Sequence, residues 1–178
     1  MLNNLDEIKG MNMEQENAVK DLRARTCCFT GHREIPFLRR HHIAKVLKQE
    51  LEKLIEQGVI YFGAGGALGF DTMAAQTVLS LKSKHPEIKL ILVLPCHSQA
   101  DRWSEEDRAV YEEIKLKADK VKYKSIEYTS GCMHKRNRHL VDNSSVCVSY
   151  MTKNTGGTAY TVDYARKNRV RVINLAEL

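Results

Sequence analysis

Two glycine-rich stretches carry the residues most suited to chemistry. In "FGAGGALGFDTMA" (62–74), Gly63, Gly65, Gly66 and Gly69 put four glycines into seven residues, between an apolar run and a helical pattern. In "NTGGTAYT" (154–161), Gly156 and Gly157 precede a second helical pattern, with Thr158 and Thr161 just inside it. Glycine is costly in regular structure, so a strand-to-helix bend rich in it wants a bare backbone. Backbone N–H groups fanned out at such a bend hold anions. Asp71 stands at the start of the first helix and either caps it or meets the ligand. Around the bends, Arg33 in "TGHRE" (Gly31, His32, Arg33) can fork onto a phosphate, and Arg136, Asn137 and Arg138 open another helix. Trp103, the only tryptophan, follows a strand and can stack on a base or pack on the next helix.

The spacings also exclude. Gly63, Gly65 and Gly69 read GxGxxxG, one residue off the dinucleotide fingerprint, and the following strand ends in "VLPCH" without the ribose-binding acid. That disfavours a standard NAD dehydrogenase. GxxxxGK[ST], GxSxG and HExxH are absent, which argues against a P-loop nucleotidase, a serine-hydrolase elbow and a zincin. Glu34, Asp71, Asp101, Asp142 and Asp163 are acids able to move a proton, and spacing nominates none as catalytic. No metal site and no resident cofactor are expected, and His32 alone in a loop reads as structural or as an acid-base group.

The elements that must position these residues alternate. Strands are expected at 26–30, 59–63, 88–95, 120–124, 145–151 and 169–175, and helices at 38–57, 71–83, 104–118, 132–141 and 157–168. Ile43, Leu47, Leu51 and Leu54 share one face of the first of these helices, and Gly58 stops it. Ser104 with Asp107 is a capping-box variant. Alternation at about 30 residues is the βαβ period. It predicts a single α/β, Rossmann-like domain (23–178) with a mainly parallel sheet and helices on both faces. The polar stretch 1–22 reads as a helical or loose N-terminal extension. Ligands of such sheets bind beyond the carboxyl ends of the strands, where the candidate loops fall.

A chain of 178 residues with 43 % hydrophobic content can bury its own core. The five cysteines (Cys27, Cys28, Cys96, Cys132, Cys147) show no CxxC spacing and read as buried thiols of a cytoplasmic protein. The first residues lack a leader pattern, and no apolar run is long enough for a bilayer, so no membrane partner is expected. Segment 115–138 carries Lys115, Lys117, Lys120, Lys122, Lys124, Lys135, Arg136 and Arg138 against Asp119 and Glu127, which accounts for the formal net charge of +6. It is either a polyanion surface for single-stranded nucleic acid or a lysine-guarded edge strand with a solvated helix end. A second copy of the chain is a further candidate partner.

"CCFTGHRE", "GALGFDTMAAQTVL", "KRNRHLVDNSSVCVSY" and "GGTAYTVDYA", in that order from about residue 26 to the end, resemble the SLOG superfamily, and within it the YpsA-like branch related to DprA/Smf and LOG proteins. Gly69, Phe70 and Asp71 match the DprA-like turn, Arg136, Asn137 and Arg138 its helix start, and Gly157, Thr158 and Thr161 its cradle. The LOG pattern PGGxGTxxE is unmatched, with Thr161 standing where the glutamate belongs. The resemblance implies a Rossmann-like domain that binds, and in some members senses, a nucleotide or nucleotide-derived molecule such as ADP-ribose. Its alternatives are single-stranded DNA binding of the DprA type and N-glycosidic hydrolysis of the LOG type.

Overall fold

The computed structural model describes residues 13–178. Helix α1 (Met13–Ala24) leads into strand β1 (Thr26–Gly31), and five further strands alternate with helices: α2 (Phe37–Glu56), β2 (Tyr61–Ala64), α3 (Phe70–Leu81), β3 (Lys89–Leu94), α4 (Glu105–Lys117), β4 (Lys120–Tyr123), α5 (Cys132–Asp142), β5 (Val146–Tyr150), α6 (Gly156–Lys167) and β6 (Arg171–Asn174). Single 3₁₀ turns lie at His97–Ala100 and Leu175–Glu177. The first twelve residues of the expected N-terminal extension lie outside the described residues.

The strands form one sheet in the order β4-β3-β2-β1-β5-β6, every pair parallel. Winding runs outward from β1 to β4, then returns to β5 and β6 on the other side. Right-handed crossovers therefore place α2, α3 and α4 on one face and α5 and α6 on the opposite face. The side chains agree: Phe29, Phe62, Leu90, Leu92 and Val148 pack with Ile43, Leu47, Leu51, Phe70 and Val78, whereas Cys28, Val93 and Cys147 pack with Leu140, Val141 and Ala165. Fully burying each large side chain of this kind contributes about 1.5–3 kcal/mol. All five cysteines are free and buried.

Two strand starts move for one physical reason. After α2, Gly58 adopts φ +92° and the Val59 N–H donates to Leu54 O, so residue 59 completes the helix end and β2 starts at Tyr61. After α6, Arg169 adopts φ 58° and the Val170 N–H donates to Ala165 O, which delays β6 to Arg171. The capping box holds, with Ser104 Oγ accepting from the Asp107 N–H at 3.1 Å.

Candidate functional site

The first glycine bend holds an anion, and the anion is the protein's own. The Asp71 carboxylate accepts from the Gly65 N–H at 3.1 Å and from the Ala67 N–H at 3.4 Å through one oxygen, Oδ2. Arg136, reaching over from α5, donates through a terminal nitrogen to Gly65 O and lies 4.0 Å from the same carboxylate oxygen. Gln99 Nε2 donates to Gly66 O at 2.8 Å, and the Thr72 hydroxyl donates to Ala67 O at 2.9 Å. Asp71 and Arg136 are 6 % and 5 % exposed, so this is a buried ion pair with main-chain amides completing the carboxylate's shell. Burial pushes the Asp71 carboxyl above its ordinary value, against Arg136, the two amides and Arg33. Burial likewise pulls the Arg136 guanidinium down, against Asp71. Gly69 is obligatory here, because at φ +76° a Cβ would collide with the Arg33 main chain, and a Cβ on Gly65 would displace the Arg136 guanidinium from its place beside Asp71.

The second bend is open. Thr155, the residue before α6, makes no side-chain cap, Gly156 turns the chain at φ +86°, and among the described residues neither Gly156 nor Gly157 has a neighbour within 4 Å of where a Cβ would stand. Polar contacts hold the bend from behind. Thr161 Oγ1 donates to Gly157 O at 2.8 Å and accepts from Asn137 Nδ2 at 2.9 Å. From the β1 side, His32 Nε2 accepts the Thr152 N–H at 2.9 Å, which fixes the ring as neutral with its proton on Nδ1. Burial, then Lys153, keeps the His32 pKa below its ordinary value, consistent with an acceptor nitrogen.

Between the bends lies a hollow of about 360 Å³ whose wall includes Thr30, Gly31, His32, Arg33, Ala67, Asp71, Met133, Arg136, Asn137, Gly157 and Thr158. It sits beyond β1 and β5, where the direction of winding reverses. The Arg33 side chain is exposed and makes no hydrogen bond or ion pair among the described residues. Arg136 Nε is buried without a partner among the described residues. A larger cleft of about 800 Å³ runs between α2, α3 and α4 and shares Arg33 with the hollow. The hollow is the better-built site, because uncapped helix amides, a neutral histidine and the exposed Arg33 converge on it.

Of the residues singled out in the sequence, Gly31, His32, Arg33, Asp71, Arg136, Asn137, Gly157 and Thr158 meet at this hollow. Thr161 supports it from behind, and Gly156 stands just outside. Several expectations are corrected. Gly63 sits within β2, in register with Cys28 and Ile91, so it is not a ligand donor. The Gly65 amide is occupied by Asp71, Gly66 is absent from the hollow wall, and Gly69 lines the larger cleft rather than the hollow. Asp71 fastens the loop, and Arg136 is spent on Asp71 and Gly65 rather than left as a free charge. Arg138 points outward to the Tyr160 hydroxyl at 3.4 Å. Trp103 packs edge-on against Tyr111 at 5.3 Å and is absent from the hollow wall. Thr30, Ala67 and Met133 line the hollow without having been singled out. Thr30 and Ala67 each end or follow a strand next to a named residue, and that was the available signal.

Segment 115–138 is less exposed a charge than its sequence suggests. Lys115 pairs with Glu112 at 3.0 Å, Lys117 with Glu113 at 2.5 Å, and Arg136 is buried. Lys120, Lys122 and Lys135 stand exposed. Among the described residues, no three His, Cys, Asp or Glu side chains gather as a metal ion would need, and no helix is long and apolar enough to cross a membrane.

Comparison with known proteins gives the family and the fold. The model of the family described as the YspA SLOG family matches residues 27–175. A UPF0398 protein of Halalkalibacterium halodurans is 33 % identical over 131 residues, 72 % of this chain and 69 % of that protein. The uncharacterized SPbeta prophage-derived protein YoqJ of Bacillus subtilis is 34 % identical over 130 residues, 66 % of this chain and 76 % of the relative. Among solved structures, DNA processing protein A of Helicobacter pylori, described for its single-stranded DNA binding mode, superposes with TM-score 0.59 at 19 % identity, covering 87 % of this chain and 66 % of the other. DprA of Streptococcus pneumoniae gives TM-score 0.61 at 16 % identity over 85 % of this chain and 50 % of the other. These last two likenesses are likenesses of fold.

Proposed function

The chain belongs to the YspA SLOG family, and from that premise we propose that it binds a nucleotide or nucleotide-derived ligand of the ADP-ribose type in the hollow between β1 and β5. One observation carries the reading: the uncapped start of α6, with Gly157 and Thr158 in the wall, faces an unpaired Arg33 across a cavity at the switch point of the sheet. A helix start of this kind attracts negative charge, and an arginine adds two forked donors. His32 and Asn137 complete the wall with polar groups of fixed orientation. Asp71 sets the polarity of the opposite side: its carboxylate is neutralised by Arg136, so a phosphate approaching Arg33 meets no bare negative charge.

The test is calorimetric titration of the protein with ADP-ribose, NAD and mononucleotides. Micromolar binding is expected, with Arg33→Ala weakening it about tenfold, the factor that loss of one charge-assisted hydrogen bond produces. A folded protein that binds none of these ligands ends the reading.

The exposed lysines of β4 and α5 favour one second reading, single-stranded nucleic-acid binding through Lys120, Lys122 and Lys135. It requires affinity that falls steeply with salt and drops when Lys120 and Lys122 become glutamine. Binding of small nucleotides that ignores both changes decides for the hollow.

A further inference from the structure

We infer that the cleft between α2, α3 and α4 is the second half of the same site, and that it takes the far end of a diphosphate-linked nucleotide whose phosphates lie against Arg33. This rests on the hollow being the nucleotide site.

Three observations lead to it. First, one turn of chain separates the two cavities. Ala67 and Asp71 face the hollow, their neighbours Leu68, Gly69 and Thr72 face the cleft, and Arg33 lines both. A ligand leaving the hollow over Arg33 therefore enters the cleft directly. The missing Cβ of Gly69 is what lets this partition close onto the Arg33 backbone. Second, the sizes are complementary. The hollow, at about 360 Å³, is near the lower end of the roughly 300–1,000 Å³ range of ligand pockets, whereas the cleft offers about 800 Å³ more. The hollow suits a mononucleotide-sized portion, and a two-ended ligand needs the cleft.

Third, the cleft wall carries unspent polar groups in an order that suits phosphate and then sugar or base. Arg40 is anchored by Nε to Ile35 O at 3.2 Å, and its terminal nitrogens meet no protein acceptor among the described residues. His41 and Gln76 are exposed and likewise make no hydrogen bond among the described residues. Thr72 and Thr77 donate their hydroxyls to main-chain oxygens at 2.9 and 2.8 Å, which leaves their lone pairs to accept from a ligand hydroxyl. Asp107, the acid in the wall, is held by the Ser104 hydroxyl and its own capping box. Arg33 and Arg40 thus leave the cleft cationic on the side of the hollow, with hydroxyl and amide partners beyond.

The test compares ADP-ribose with AMP by calorimetry on the full chain, as wild type, as the double variant His41→Ala/Gln76→Ala, as Gln76→Trp and as Arg33→Ala. The cleft substitutions sit at exposed positions, and thermal melting checks that they fold. The wild type is expected to bind ADP-ribose about tenfold more tightly than AMP. Both cleft variants are expected to lose most of that margin while binding AMP within about twofold of wild type, and Arg33→Ala to weaken both ligands. Cleft variants that bind ADP-ribose like wild type overturn the inference and leave the hollow standing. Equal wild-type affinities for the two ligands do the same. Binding of neither ligand removes the hollow reading and this inference together.

Discussion

The two glycine bends look alike in sequence and differ in what fills them. After β2, the amides of Gly65 and Ala67 close on Asp71, and Arg136 seals the pair. After β5, the bend at Gly156 and Gly157 has no side-chain cap and opens outward. The contrast separates two uses of one device: an anion cradle can be a structural clasp when the chain supplies its own carboxylate, and a binding site when it does not. Helix α5 serves both, because Arg136 reaches back to the clasp while its neighbour Asn137 braces the open bend through Thr161.

The contrast is broken most forcefully at the clasp. Asp71→Ala leaves Arg136 as a buried, uncompensated charge, and it is expected to cost about 3–5 kcal/mol in urea unfolding. An effect below about 1 kcal/mol would mean that the pair does not fasten the loop. Next come the glycines themselves. Gly69→Ala combines a left-handed backbone with a collision against Arg33 O, and a loss of more than about 2 kcal/mol is expected. Gly156→Ala meets the same backbone penalty in open space, so about 1–2 kcal/mol is expected, readable as a smaller shift in the same urea midpoint.

Acid sharpens the role of the shared helix. His139 on α5 is pushed down to about 4 by burial, Lys124 and Lys122, from an ordinary value of 6.5. The unfolded chain then takes up this proton before the folded one does. Its contribution is present above pH 6.5 and is lost as pH falls towards 4. Asp71, shifted upward, acts in the opposite sense: the folded state gains its proton first, so this group alone favours folding as pH falls through the carboxyl range. Denaturant midpoints between pH 7 and 4 should fall in the wild type and flatten in His139→Gln. The smallest effect is reserved for Lys120→Gln/Lys122→Gln, which should leave ADP-ribose affinity within about twofold, since exposed charges are screened beyond about 10 Å in 0.1 M salt.

The fold could be read from the sequence because its signals are local. The period-2 and period-3.6 patterns, Gly58 and the Ser104 cap each act within a few residues, and the largest strand shifts, two residues each, fall at the starts of β2 and β6, where helix-ending turns absorbed residues with strand-like side chains. The hollow was legible in part because the strand ends of a parallel sheet converge there. The clasp was not. Asp71 and Arg136 lie 65 positions apart, and no spacing distinguishes a carboxylate that fills its own cradle from one that awaits a partner. Trp103 misled for a related reason: an aromatic in a loop at the correct edge of the sheet is claimed by whichever neighbour packs first, here Tyr111.

The central claim is that the second bend is the one that meets ligand. Backbone ¹⁵N–¹H spectra of the protein titrated with ADP-ribose test it directly. The Gly157 and Thr158 amides should shift in step with binding while that of Gly65, held by Asp71 and absent from the hollow wall, stays in place. Movement of Gly65 with Gly157 and Thr158 unchanged would contradict the account.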